Sequence, residues 1–238
     1  MRRFFGRIEE NRAIIENEEF VHLKTVLRGK IGEDIVVLDG TKYEYICKIA
    51  QMNKSNAICD ILENRECKAL PKKNIVLFQG LIKRDKLEEV LQHCVEIGVK
   101  KVVPFESEYC VIKPSENKRD RLEKIVISAC KQCERSVPME IGETLSFVSL
   151  VESIKMFQKE EKSIVLFANE RDGLPFDFSV LKDCKNIAIV VGPEGGFSPK
   201  EKEILTNLAE SISLGERILR SETASIVLSG MVSVISGN

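Results

Sequence analysis

VVGPEGGFSPKE (residues 190–201) joins an apolar, strand-like run to a glycine-rich turn and then to the start of a helix. Ser198 is followed by Pro199 and, three positions on, by Glu201, which makes a capping box with proline at the first helical position. Gly192, Gly195 and Gly196 admit φ values closed to other residues and strip side chains from the turn. A ligand can therefore press against bare amides and carbonyls, whereas a plain strand-to-helix turn needs only one glycine. The single ionisable side chain before the helix is Glu194, and the chain contains neither G-x-x-x-x-G-K-[ST] nor G-x-G-x-x-G. Such loops usually take phosphate, but a neutral one without lysine suits a nucleoside-like ligand better than a triphosphate.

The surrounding pattern decides the fold. NIVLFQGL (74–81), VVPFES (102–107), SIVLFAN (163–169), NIAIVVGP (186–193) and SISLG (211–215) read as strands. Leu87, Val90, Leu91, Cys94 and Val95 recur at helical spacing, and further helices are expected over 121–133, 198–209 and 222–236. Strands apolar along their whole length and separated by helices imply an α/β fold, a mostly parallel sheet covered on both faces. Ligands of such sheets bind at the carboxyl ends of the strands. Three ends are therefore singled out: 167–170, 192–196 and 214–220.

Residues 1–70 have a different rhythm. IVVLDG (35–40) and YEYICKIA (43–50) form a hairpin signal, with Gly40 taking the positive φ of the turn. AICDIL (57–62) adds a strand, and Phe20, Leu23, Val26 and Leu27 mark one helix over 18–27. Five or six short strands with one helix suggest a small β-barrel. The charged, aperiodic ENRECKALPKKN (63–74) marks the boundary, which divides the chain into domains 1–70 and 71–238.

Composition narrows the class. The chain has 238 residues, 43% hydrophobic and 31% charged, with a formal net charge of −1. Its start, MRRFFGRIEE, lacks a signal-peptide run, and no stretch is apolar enough for a membrane helix, so a soluble cytoplasmic protein is expected. The eight cysteines are scattered and read as reduced, core-filling thiols. Cys130 and Cys133 form the one C-x-x-C, and with His22 and His93 the only histidines, no four-ligand zinc site is supported. No metal is expected.

With so small a net charge, any nucleic-acid surface must be a local patch. Candidates are the N-terminal arginines and the segment 111–135, where Lys113, Lys118, Arg119, Arg121, Lys124, Lys131 and Arg135 face Glu116, Asp120, Glu123 and Glu134.

A second motif, SLGERILRSETAS (213–225), accompanies the glycine loop. Glu222 and Thr223 fall in the first turn of a helix, where a carboxylate is favourable for the helix itself. Ile218 and Leu219 are apolar and are expected to face inward. Arg220 sits between them and a buried-looking helix, and an arginine there wants a carboxylate, a phosphate or a base edge.

GPEGGFS followed by LGERILRSETA resembles the SPOUT superfamily of trefoil-knotted methyltransferases. Specifically it resembles the RsmE family, which methylates N3 of a uridine in small-subunit (16S) ribosomal RNA. GRIEE, HLKTVLR (22–28), FQGLIK (78–83), EIGVKKVVPF (96–105), ACKQCER (129–135) and VP (137–138) extend the resemblance over nearly the whole chain. Cys130 and Cys133 stand where the family usually has other small residues, which further weakens a metal reading. The resemblance implies a C-terminal trefoil knot, a PUA-like RNA-binding N-terminal domain, a homodimer and a bent S-adenosyl-L-methionine held by the knot loops. The cofactor is expected against Leu166, Phe167, Glu170, Gly192, Pro193, Gly195, Gly196, Leu214, Gly215, Ile218, Leu219, Thr223 and Ala224.

Methylation at N3 needs loss of the N3 proton, and Arg220, Glu194 and Glu222 are the residues expected to serve that step. Arg220 is assigned to the developing uridine anion or a phosphate, and the two carboxylates to proton acceptance or to orienting Arg220. Arg3, Arg7, Arg28 and Arg135 are the expected RNA contacts.

Three rivals stand beside this reading. One is a methyltransferase of the same fold acting on another RNA nucleotide. The second is a nucleotide-dependent enzyme such as a nucleotidyltransferase, which lacks a nearby lysine and a metal-binding carboxylate pair. The third is a non-catalytic RNA-binding ribosome assembly factor, which leaves both loop motifs without a purpose.

Overall fold

The computed structural model describes residues 1–112 and 119–238. Lys113, Glu116 and Lys118 of the basic segment lie outside the described residues. The chain forms two compact units, residues 1–70 with 127–138, and residues 71–126 with 139–238. The break near residue 70 coincides with the aperiodic stretch, whereas the sequence pattern does not separate 127–138 from its neighbours.

The first unit is built on a six-stranded sheet. Its strands are β1 (Arg3–Phe5), β2 (Arg7–Glu9), β3 (Arg12–Glu16), β4 (Asp34–Leu38), β5 (Tyr43–Met52) and β6 (Asn56–Glu66), in the order β1-β4-β5-β6-β3-β2. The β4–β5 hairpin pairs antiparallel, with Gly40 at φ +83° in its turn. β1 pairs parallel with β4, so this sheet is mixed. Two shifts of register between β5 and β6 bend the long strands. One side packs Phe4, Ile15, Ile35, Val37, Ile49 and the thiols Cys47 and Cys59 around Phe20 and Leu23. Phe20 belongs to the short helix α1 (Asn17–Val21) and Leu23 to the wider π-type turn that continues it over His22–Val26.

The second unit carries six strands: β7 (Asn74–Gly80), β8 (Lys101–Phe105), β9 (Glu140–Ile141), β10 (Ser163–Ala168), β11 (Asn186–Val191) and β12 (Glu210–Ile212). Their order is β12-β10-β11-β7-β8-β9 and every pairing is parallel. The helices are α2 (Arg84–Ile97), α3 (Arg119–Cys133), α4 (Phe147–Phe157), α5 (Pro199–Leu208) and α6 (Ser221–Ser236), and the last residues of α3 belong to the first unit. α4 and β9 were not expected from the sequence, and the strand anticipated over 211–215 ends at Ile212.

Alternation along the strands sends Val76, Phe78, Val103, Phe105, Val165, Phe167, Ala188 and Val190 to one face, where Leu150 and Ile154 of α4 and Leu205 of α5 cover them. The opposite face meets α6, which packs against β7, β11 and α2. α6 buries Ser221, Ser225, Leu228, Ser229, Val232, Ser233 and Ser236, a stripe at spacings of three and four. Small serines let this helix lie close to the sheet. No helix among the described residues is long and apolar enough to cross a membrane.

Candidate functional site

The strand ends of the second unit converge on one cavity of about 740 Å³. That is the size range of small-molecule sites, roughly 300–1,000 Å³. Its walls come from the turns after β7, β10, β11 and β12 and from the first turns of α2 and α6. Of the expected residues, Glu170, Gly192, Pro193, Glu194, Gly195, Gly196, Leu214, Gly215, Ile218, Leu219, Arg220, Glu222 and Ala224 all line it.

Leu166, Phe167 and Thr223 do not appear in that lining. Leu166 and Phe167 have no exposed surface, because strand side chains point into the two packed faces of the sheet rather than out of its end. Thr223 is exposed elsewhere on the first turn of α6. Ile218, expected to face inward, is 65% exposed, since it borders an open cavity and not the core.

The glycine loop is fixed from below and from the side. Ser198 caps α5 by accepting from the Glu201 amide, and the Glu201 carboxylate accepts from the Ser198 amide at 2.9 Å, which completes the capping box. The second oxygen of that carboxylate accepts from the Glu108 amide at 2.9 Å, so the same buried side chain pins the turn after β8. Phe197 drops into the core, stacked with Phe105 (5.9 Å between centroids) and edge-on to Phe167 (5.3 Å).

Two of the glycines have a different reason from the one their spacing suggests. A Cβ at Gly192 would stand 2.7 Å from the Phe197 ring, and one at Gly195 would stand 2.6 Å from the Tyr109 carbonyl oxygen. Protein, not ligand, occupies the side-chain space at these two positions. Gly196 fits the original argument better, with φ +70° and nothing nearer to its Cβ than Glu170 at 3.9 Å.

Behind the cavity runs a chain of buried polar groups. The Ser225 hydroxyl donates to the Gln79 side-chain carbonyl, and the Gln79 amide donates to Ser221 at 3.0 Å and to the Gly80 carbonyl at 2.9 Å. Ser221 in turn donates to the Gly192 carbonyl. Gly80 leaves the room this needs, since a Cβ there would meet the Pro193 nitrogen at 2.3 Å.

Charge in the cavity is mixed. Glu222 is buried and, among the described residues, the cation that pairs with it is Lys86, at 3.7 Å. Lys86 also bonds Glu89 at 3.1 Å, and that bond, with the nearby Glu222 charge, raises its pKa above the usual lysine value. Glu170 faces Lys202 at 3.6 Å. Arg220 is exposed, occupies the cap position of α6 and has no ion pair among the described residues. Sequence reasoning missed Lys83, Lys86, Arg171, Arg217, Gln79 and Ser221. The usable signal was FQGLIK, which is the carboxyl end of a fourth strand, β7, beside β11.

The arginines expected on RNA are mostly engaged within the first unit. Arg135 is only 2% exposed, its Nε donates to the Val137 carbonyl at 2.7 Å, and burial lowers its pKa. Arg3 is largely buried and pairs with Glu134 at 2.8 Å and Glu44 at 3.8 Å. Arg7 pairs with Glu9 and Glu16. Arg28 alone of the four is exposed without an ion pair among the described residues. Among those residues no group of three or more histidine, cysteine or acidic side chains is placed to hold a metal.

Comparison with known proteins adds the following. A family model described as an RNA methyltransferase domain matches residues 68–233, and one described as an RNA methyltransferase PUA domain matches residues 15–62. The chain is 32% identical to ribosomal RNA small subunit methyltransferase E of Rickettsia conorii, over 98% of this chain and 94% of that protein. It is 32% identical to the protein of the same name from Bacillus subtilis, over 88% and 85%. The crystal structure of a ribosomal RNA small subunit methyltransferase E from Neisseria gonorrhoeae bound to S-adenosyl methionine superposes with a TM-score of 0.86. The two share 25% identity, covering 98% of this chain and 97% of that one.

Proposed function

Because the chain belongs to the ribosomal RNA small subunit methyltransferase E family, we propose that it transfers a methyl group from S-adenosyl-L-methionine to N3 of a uridine in small-subunit ribosomal RNA. One observation carries the reading. The glycine loop and the 214–224 loop close on a single cavity with an exposed Arg220 that has no ion pair among the described residues.

The cavity suits the cofactor. Its volume accommodates a nucleoside with an amino-acid arm, its glycine loop presents backbone, and Leu214, Ile218, Leu219 and Ala224 supply apolar contact. When bound, S-adenosylmethionine supplies an already activated methyl group. The protein's own work is then to position the base and manage one proton. N3 lies on the Watson–Crick edge, so the uridine is received unpaired or extruded. The N3 proton must leave before the lone pair is free. Arg220 stabilises the uridine anion that results. Glu222 is engaged with Lys86, which leaves Glu194, exposed and without an ion pair among the described residues, as the proton acceptor.

The division of labour follows the two units. The first unit, residues 1–70 with 127–138, is a PUA-like RNA-binding domain, the second, residues 71–126 with 139–238, is the catalytic, trefoil-knotted domain, and the protein works in the cytoplasm as a homodimer. The outer side of α6, where Val227 and Val234 are 41% and 81% exposed, supports self-association.

Labelled S-adenosylmethionine and small ribosomal subunits from a methylation-deficient strain test the activity: label should enter the RNA at a uridine N3. Arg220→Ala should abolish transfer and leave cofactor affinity within a few-fold. Normal turnover by that variant would contradict the assignment.

A further inference from the structure

Four cations with no ion pair among the described residues surround the cavity: Lys83 after β7, Arg171 after β10, and Arg217 and Arg220 after β12. All four are exposed. The fifth cation of the lining, Lys86, is paired with Glu89 and Glu222. The carboxylates do not balance the set, since Glu222 and Glu170 are met by Lys86 and Lys202, leaving Asp85 and Glu194. Two of the four are also badly placed for their own helices. Lys83 and Arg220 hold the cap positions of α2 and α6, without side-chain cap bonds. A cation there faces the positive end of the helix, an unfavourable placement. Helix stability therefore does not explain their presence, while an anion at the cavity mouth does.

Resting on the proposed function, we propose that Lys83, Arg171 and Arg217 form, around the catalytic Arg220, a phosphate-gripping rim for the RNA chain on either side of the target nucleotide. An extruded uridine brings its flanking phosphodiesters to the mouth of the cavity that receives it. Side chains from three separate strand ends can grip the chain on both sides of that base. Such contacts hold the backbone and fix its register without reading sequence. The cofactor's carboxylate is the other anion with this chemistry, so the test must separate the two.

The variant K83A/R171A/R217A leaves Arg220 in place. Its affinity for a labelled single-stranded RNA is measured from 50 to 200 mM salt, and its affinity for S-adenosylmethionine by calorimetry. Loss of three phosphate contacts should flatten the salt slope by about 2 and weaken binding by roughly tenfold or more at the lower salt. Cofactor affinity should stay within twofold, which also reports an intact fold. Arg217→Glu alone provides a second measurement and should weaken RNA binding more than Arg217→Ala. Unchanged RNA affinity and slope would overturn the rim. Loss of cofactor affinity with RNA binding retained would assign these cations to the carboxylate and overturn it equally. Because binding and not transfer is read, a wild-type protein that puts no label into RNA would instead count against the proposed function.

Discussion

The Ser221 hydroxyl donates a 2.5 Å hydrogen bond to the Gly192 carbonyl, fastening the first residue of α6 to the strand end that opens the glycine loop. Gln79, with no exposed surface and preceded by the apolar run Ile75–Phe78, donates to the same hydroxyl and accepts from Ser225. Every donor in this chain points onward to an acceptor, so the network is satisfied from α6 through β7 to the loop. Ser221→Ala strands the Gly192 carbonyl and one Gln79 N–H in the interior, at a cost of about 1–3 kcal/mol. Urea unfolding should show that loss, and calorimetry should show weaker S-adenosylmethionine binding. Ser225→Ala and Ser221→Ala should combine non-additively because they share Gln79; simple additivity would mean the chain does not act as a unit.

Gly195 and Gly215 separate two kinds of glycine requirement. A Cβ at Gly195 meets the Tyr109 carbonyl oxygen at 2.6 Å, a backbone atom that cannot step aside as a side-chain tip can. At Gly215 nothing lies within 4 Å, but φ is +108°. Gly195→Ala should therefore displace the 107–110 turn and destabilise the second unit, with weaker cofactor binding as a consequence. Gly215→Ala should cost about 1 kcal/mol or more from backbone strain alone. Shortening Tyr109 to Ala should not relieve Gly195→Ala, since the obstructing oxygen remains. Relief would show that the close approach is made by the side chain instead.

Much of this was legible along the chain, for identifiable reasons. Strands such as NIAIVV are buried on both faces and so are apolar throughout, and helices such as α2 show their buried stripe at helical spacing. The cap of α5 is written in three residues, Ser198, Pro199 and Glu201. Local chemistry of this kind survives in a one-dimensional reading. Long-range pairing does not. Lys83 and Lys86 reach the cavity only because β7 lies beside β11, a neighbour relation between strands more than a hundred residues apart. Gln79 looks like an exception in an apolar run until Ser221 and Ser225 are placed above it. Arg135 looks like a surface cation in a basic segment, and nothing local reveals that residues 127–138 join the first unit.

The buried thiols give a pH dependence. Burial pushes Cys47 and Cys94 up to about 12 and Cys59 up to about 11. An unfolded thiol ionises near 8.5, so above that pH the unfolded state releases protons that the folded state retains. Stability is therefore unaffected by these groups at neutral pH and falls progressively between about pH 8.5 and 12. Urea midpoints measured from pH 7 to 10 should decline at the alkaline end. Substituting Cys47 or Cys94 with Ala should reduce that decline. At pH 8 these three cysteines should resist alkylation in the native protein, while the partly exposed Cys110, Cys133 and Cys184 react first. Rapid native-state alkylation of Cys94 would contradict its enclosure between α2 and α6.

Arg28 and Arg135 share a side chain and differ in surroundings, so exchanging each for alanine separates RNA contact from structural support. Arg28 is exposed, with φ +50°, and carries no ion pair among the described residues. Arg28→Ala should leave stability within about 0.5 kcal/mol. It should weaken RNA binding and lower the salt slope by about 0.7–0.9, the share of one phosphate contact. Arg135 is buried, and its Nε satisfies the Val137 carbonyl. Arg135→Ala leaves that carbonyl without its partner and a cavity beside the end of α3, so stability should fall by roughly 1–3 kcal/mol. The fraction that remains folded should bind RNA with the wild-type salt slope, because no surface phosphate contact has been removed. A reduced slope in Arg135→Ala with unchanged stability would reverse the two assignments, and filter binding across a salt series beside urea unfolding decides between them.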